Sequence, residues 1–201
     1  MMFDIITIFL VGILLLFAIY TAIQFRGKYP RRSFEDVTPF LRPAEHDELE
    51  SLLDPAQESN FRMRMLPQEF AEWQRRRIHL LREYLLRMSH NALVLIEWGN
   101  MEALQQGNDT EAVRQRQVLA QELVQAATEF RLYSVLALAK LKLWLVLPSP
   151  FSLLLPSPSL PSMRHVFGID ALGSYQRLRA AAGGLSLAHS HQFHHELLER
   201  L

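Results

Sequence analysis

No proline stands between Pro67 and Pro148, and across that interval apolar residues recur at steps of three and four. Proline removes a backbone donor and clashes with the preceding turn, so a long proline-free interval with this period is what a long helix requires. Phe70, Trp73, Leu80, Leu81, Tyr84, Leu85, Met88, Ala92, Leu95 and Ile96 mark one face. Gly107-Asn108 then supplies the residue types that end helices in the left-handed conformation, and Asp109 or Thr110 is placed to cap a new one. The pattern predicts helices from Pro67 to about Gln106 and from Thr110 to about Leu147. A link this short makes them an antiparallel hairpin.

The second arm carries Val113, Ala120, Leu123, Ala127, Phe130, Ala137, Leu141 and Trp144 at a spacing near 3.5, which gives the hairpin coiled-coil character. Its small residues (Ala120, Ala126, Ala127, Ala137, Ala139) leave room for the aromatics of the first arm. Arg77 and Arg116 fall close to the seam and Gly99 interrupts the first arm. These departures point to a bundle in which other segments cover part of the hairpin.

The rest of the chain arranges itself around this element. Residues 5–25 contain no charge; as a helix they would be about 31 Å long, the thickness of a bilayer core. The segment before them has no Lys or Arg, and cleavage after Ala22 would leave Tyr20 at the −3 position, so it does not fit a signal peptide. A transmembrane anchor over 1–25 is expected. Arg26, Lys28, Arg31 and Arg32 follow it as a basic membrane flank, which places the N-terminus outside and the remainder in the cytoplasm.

Residues 26–66 read as a proline-punctuated linker with one short helix from Pro43 to about Leu53, stopped by Asp54-Pro55. A linker of that length leaves the open end of the hairpin, with Leu145–Leu155 and Lys140 and Lys142, free to face the bilayer; burial against the last helices is the competing expectation for the apolar run 132–155. Residues 148–163 hold five prolines and are expected to be extended. Within 164–201 a helix from about Asp170 to Ala182 is expected to end at Gly183-Gly184, with a last helix from Ser186 to about Arg200. No strand pattern is present. The fold class is therefore all-α: a single transmembrane helix, then 67–147 as a long hairpin, then a short C-terminal helical pair.

Chemistry-bearing constellations are few. Lys and Arg equal Asp and Glu at 21 each, a balance that argues against a nucleic-acid binder. The absence of cysteine removes disulfides, thiolate metal sites and cysteine nucleophiles. His191, His194 and His195 are helical neighbours able to chelate a metal through imidazole, and His189 lies beside them. A structural site needs about four ligands, so an exposed polar face is the expectation. Glu69, Glu72, Glu83, Glu97 and Glu102 lack the Glu-x-x-His pairs of a di-iron bundle and read as a solvated face, as do Arg75, Arg76, Arg77, Arg82 and Arg87, which fan around the helix.

No phosphate-binding loop or nucleophile elbow occurs. No cofactor is expected, and an enzyme is the less favoured class. The expectation is a membrane-anchored helical scaffold or interaction module. Its partners would be the bilayer and another protein or a second copy. The alternatives are a metal-binding protein using the histidines and a lipid-interface-binding protein.

Overall fold

The computed structural model describes residues 32–44, 52, 54–104, 111–146 and 171–201. These form five helices: α1 (Pro55–Arg64), α2 (Pro67–Leu104), α3 (Glu111–Val146), α4 (Ala171–Leu187) and α5 (His191–Arg200), preceded by two short 3-10 turns at Phe34–Asp36 and Thr38–Phe40. The described residues contain no strand, and no helix among them is long and apolar enough to cross a membrane. The expected anchor at 1–25 and its flank residues Arg26, Lys28 and Arg31 lie outside the described residues, as does the extended segment 148–163.

The hairpin is present with nearly the expected boundaries. α2 and α3 have 38 and 36 residues, about 57 and 54 Å of helix. Pro67 opens α2, and the Glu69 carboxylate accepts a hydrogen bond from the Leu66 N–H at 3.1 Å, half of a capping box. The facing side of α3 is Ala120, Leu123, Ala127, Phe130, Ser134, Ala137 and Leu141, all buried and alternating in steps of three and four. Gly99 is no interruption. A Cβ there would stand 2.7 Å from Val124 Cγ2 and 3.2 Å from the Ala120 carbonyl oxygen, so the glycine sits where the arms approach too closely for any side chain. Leu80, expected on the buried face of α2, is 47% exposed.

α4 runs antiparallel to α3, with Tyr175 against Phe130, Arg177 against Glu129 and Gly184 against Leu119. α5 folds back along α4. The Tyr175 hydroxyl donates to the Leu201 carbonyl oxygen at 2.8 Å and Arg179 donates to that of Leu198 at 3.3 Å. The apolar run beginning at residue 132 is thereby partly enclosed, since Ala137 and Leu141 are buried.

Three boundaries differ from the sequence reading. Gly183-Gly184 does not end α4. The two glycines lie inside it because α5 and α3 pack there: added Cβ atoms would meet His194 Cε1 at 3.3 Å and Leu119 Cδ2 at 3.6 Å. Ser186, expected to open the last helix, is buried within α4; Ser190 caps α5 instead, accepting from the Phe193 N–H at 3.1 Å. Asp54-Pro55 starts a helix that the sequence reading does not place. Asp54 accepts from the Ala56 N–H at 2.8 Å, and Pro55 occupies the first helical position, where its fixed φ and missing donor are harmless. The predicted helix ahead of it falls largely on residues 45–51, outside the described ones.

The largest departure concerns the expected linker. Residues 32–44 form a strap packed on the body, with Val37 and Leu41 buried. The Asn91 side chain grips the Arg42 backbone twice, accepting from its N–H and donating to its carbonyl oxygen, each at 2.8 Å. Arg200 donates to the Thr38 carbonyl oxygen at 3.0 Å. Val37 and Leu41 are a single i,i+4 pair broken by Pro39, too short a repeat to mark a packed element, so the segment reads as a tether.

Candidate functional site

Beneath the strap, toward the closed end of the hairpin, α2 buries polar groups. From Val94 to Gly99 every residue is buried, because α3, α5 and the strap enclose the helix on all sides. Glu97 and Glu102, expected on a solvated face, are 6% and 2% exposed. Glu69, Glu72 and Glu83 are exposed as expected. A buried carboxylate requires a partner, and each of the two has one from a different element.

Glu97 is paired with Arg32, whose Nε donates to Oε2 at 2.8 Å. Arg32 was read as a member of the membrane flank. It makes this ion pair, and its guanidinium also lies 4.0 Å from the Phe40 ring centroid. His90 Nε2 stands 3.2 Å from the Phe40 carbonyl oxygen, a contact that requires the proton on Nε2.

Glu102 accepts from the Trp98 indole N–H at 3.2 Å through Oε1. Its Oε2 lies 3.3 Å from Nε2 of His189. Yet Nε2 has no hydrogen-bond partner: the distance suits an ion pair while the angles do not suit a hydrogen bond. The His189 side chain is 10% exposed. It is enclosed by aromatic rings, stacked on Phe34 at 4.9 Å with Phe193 edge-on at 6.3 Å. Trp98 and Phe193 meet edge to face at 5.4 Å.

The other histidines divide. His191 and His195 are exposed. His194 turns onto α4, its Nδ1 2.9 Å from Ser186 Oγ and 3.1 Å from the Gly183 carbonyl oxygen. Ser186 is fully buried, so this serine–histidine pair presents no nucleophile to solvent. The structure therefore does not bring His191, His194 and His195 together around one point. Among the described residues no group of three or more His, Asp or Glu side chains is placed to hold a metal ion. An open groove of about 410 Å³ runs beside Gly183 and Gly184, walled by Arg179, Leu187 and His194.

Arg77 is buried, donates to the Leu52 carbonyl oxygen and stands 5.3 Å from the Trp73 ring centroid. Arg75, Arg76, Arg82 and Arg87 are exposed. Sequence reasoning missed the cluster of Glu97, Glu102, Trp98 and His189. The available signal was that residues 92–98 are apolar on nearly all sides, which marks a helix enclosed all round and makes any charge inside it remarkable only if a partner is sought.

Comparison with protein-family models, with curated proteins and with solved structures finds no match.

Proposed function

We propose that the chain is a membrane-anchored, non-enzymatic scaffold: residues 5–25 cross the bilayer with the N-terminus outside, and the helical body is cytoplasmic. The body would present the long hairpin to a protein partner or a second copy of the chain. The observation that supports this most directly is the strap. A body meant to work close to a membrane gains from a short tether, and the strap begins at Arg32, seven residues past Phe25. Those seven steps reach at most about 25 Å.

The tether is thus far shorter than a free 41-residue linker, and it attaches beside Glu97. Pro67 and the open end of the hairpin lie about 45 Å farther along α2. The open end is therefore the part of the hairpin farthest along α2 from the strap, and it is the surface proposed for a partner.

The test has two arms. Alkaline carbonate extraction and a reporter fused after Leu201 examine the anchor. The protein is expected to stay in the membrane pellet and an extracytoplasmic reporter to stay silent; release or activity overturns the anchor or its orientation. Crosslinking in native membranes followed by co-purification examines the scaffold. A stoichiometric partner or homo-oligomer is expected, and recovery of the uncrosslinked monomer alone overturns it.

A further inference from the structure

The two most exposed large apolar side chains among the described residues are Met63, at 80%, and Leu66, at 67%. Both stand at the corner where α1 turns into α2, at the open end of the hairpin. Their exposure is built in. Phe61 turns inward onto Trp73, 4.9 Å between ring centroids, and Phe70 meets the same indole at 5.7 Å. Two positions on from Phe61, about 200° around the helix, Met63 points away from that contact. Arg62 and Arg64 flank it, about 100° to either side, and both are exposed. Leu66 is fixed by its backbone: its N–H donates to Glu69 and its carbonyl oxygen accepts from the Phe70 N–H at 2.9 Å.

The charge around this corner has one sign. Residues 55–90 and 131–146, which form α1 and the open half of the hairpin, hold ten Arg and Lys against four Glu. Residues 91–130, the closed half, hold two Arg against six Asp and Glu. An anionic surface therefore attracts the open half and repels the closed one. We propose that the α1–α2 corner docks on an anionic bilayer, with Met63 and Leu66 entering the boundary between headgroups and acyl chains and Arg62 and Arg64 meeting lipid phosphates.

The size of the feature selects this occupant. Two protruding side chains and two arginines offer a fraction of the roughly 800 Å² per partner that a specific protein interface buries. A fluid bilayer needs no matching shape: single apolar side chains enter it, and arginine lays its stem along them while its head stays at the phosphates. The docking goes beyond the scaffold reading but rests on its anchor. On the chain's own bilayer the contact is intramolecular, so a binding energy too small to hold a free protein suffices. With the strap fastened beside Glu97 and the corner about 45 Å farther along α2, the two attachments lay the hairpin along the bilayer. The remaining exposed sides of α2 and α3 are left to the partner.

The chain has no cysteine, so Met63→Cys gives the full chain a single site for an environment-sensitive nitrobenzoxadiazole label. The labelled protein is reconstituted in vesicles of phosphatidylcholine alone and of phosphatidylcholine with phosphatidylserine. In the anionic vesicles the emission is expected to shift to the blue and to be quenched by lipids spin-labelled near the headgroup; an equal response in neutral vesicles overturns the charge selection. The same label at Val118→Cys, an exposed position of the closed half, is expected to stay in water, and an equal shift there overturns docking by the corner. Arg62→Gln with Arg64→Gln should lower the docked-to-free ratio about thirtyfold, and an unchanged ratio removes the arginines from the contact. A label at 63 that stays in water in anionic vesicles overturns the proposal; if it then leaves water in native membranes, which hold proteins as well as lipid, the corner belongs to a protein partner. Retention of the chain after a carbonate wash is scored separately, so a failed anchor is told apart from a failed corner. A chain that washes off is titrated with excess anionic vesicles, and absence of the shift there overturns the docking as well.

Discussion

Between Ala120 and Leu141, α3 buries a residue at every third or fourth position, and only Ser134 among them is polar. Between Glu97 and Glu102, α2 buries two carboxylates, an indole and a glycine within six residues. Both regions are core, yet they respond to damage differently. In the α3 seam each side chain is stabilised by area removed from water, which is non-directional and shared among many neighbours. In the α2 cluster each polar group depends on a particular partner: Glu97 on Arg32 from the strap, Asn91 on the Arg42 backbone, and Glu102 on Trp98 of its own helix and His189 of the α4–α5 turn. An apolar seam weakens by degrees, whereas a buried polar cluster is favourable only when every member is in place.

Trp98→Ala attacks the cluster at its largest member. It empties a fully buried site and removes a donor to Glu102, and should cost about 3–5 kcal/mol, read as a lowered denaturation midpoint of the full chain. A loss no greater than that of a single seam alanine would erase the contrast between the regions.

Arg32→Ala comes next, at about 1.5–3 kcal/mol, because Glu97 stays buried without its charged donor. Adding Glu97→Gln should recover part of that loss. Equal, additive effects of the two changes would mean that the pair is not coupled.

Gly99→Ala probes the border of the two regions and is expected to destabilise by about 1–3 kcal/mol through overpacking. Its Cβ meets Val124 and the Ala120 backbone, so Val124→Ala should relieve only the side-chain share.

Tyr175→Phe removes a buried hydrogen bond, for about 1 kcal/mol at neutral pH. Burial pushes this phenol up to about 12 from the usual 10.0. The folded protein therefore keeps a proton that the unfolded chain releases near pH 10. Its stabilising effect is complete below that pH and is lost as pH rises toward 12. The wild-type melting temperature should fall more steeply than that of Tyr175→Phe over pH 10–12.

The smallest effect is reserved for the exposed histidines. His191→Gln with His195→Gln should change stability by less than about 0.5 kcal/mol, and a chelator should leave the melting curve of the wild type where it was.

What the sequence made legible follows the same division. The hairpin, its period near 3.5 and its small-residue face were readable, because a repeated apolar pattern in two adjacent segments has essentially one way to be buried. Glu97, Glu102 and His189 were not. Glu97 meets Arg32, and His189 meets Phe34 and Glu102, across long stretches of chain, and nothing local distinguishes a glutamate that meets a distant arginine from one that meets water. Gly183-Gly184 misled for a related reason. Glycine pairs serve both for reversing the chain and for close helix contact, and only the position of His194 and Leu119 decides between them. The strap hid behind its prolines, since one i,i+4 pair, Val37 and Leu41, is too short a repeat to reveal a packed element.

The strap also sets the order in which the protein can be completed. Thr38 accepts its hydrogen bond from Arg200, 162 residues later, whereas the hairpin arms meet through contacts that become available as soon as α3 has emerged. At ribosomal rates of about 5–20 residues per second, the interval between synthesis of Thr38 and of Arg200 is about ten to thirty seconds. During that time the hairpin can already close, while Val37, Leu41 and the buried carboxylates of α2 await their covering. The strap is thus an early-made, late-used segment, and a nascent chain of this protein passes through a long-lived stage with an apolar, acid-bearing groove open to whatever binds unfinished chains.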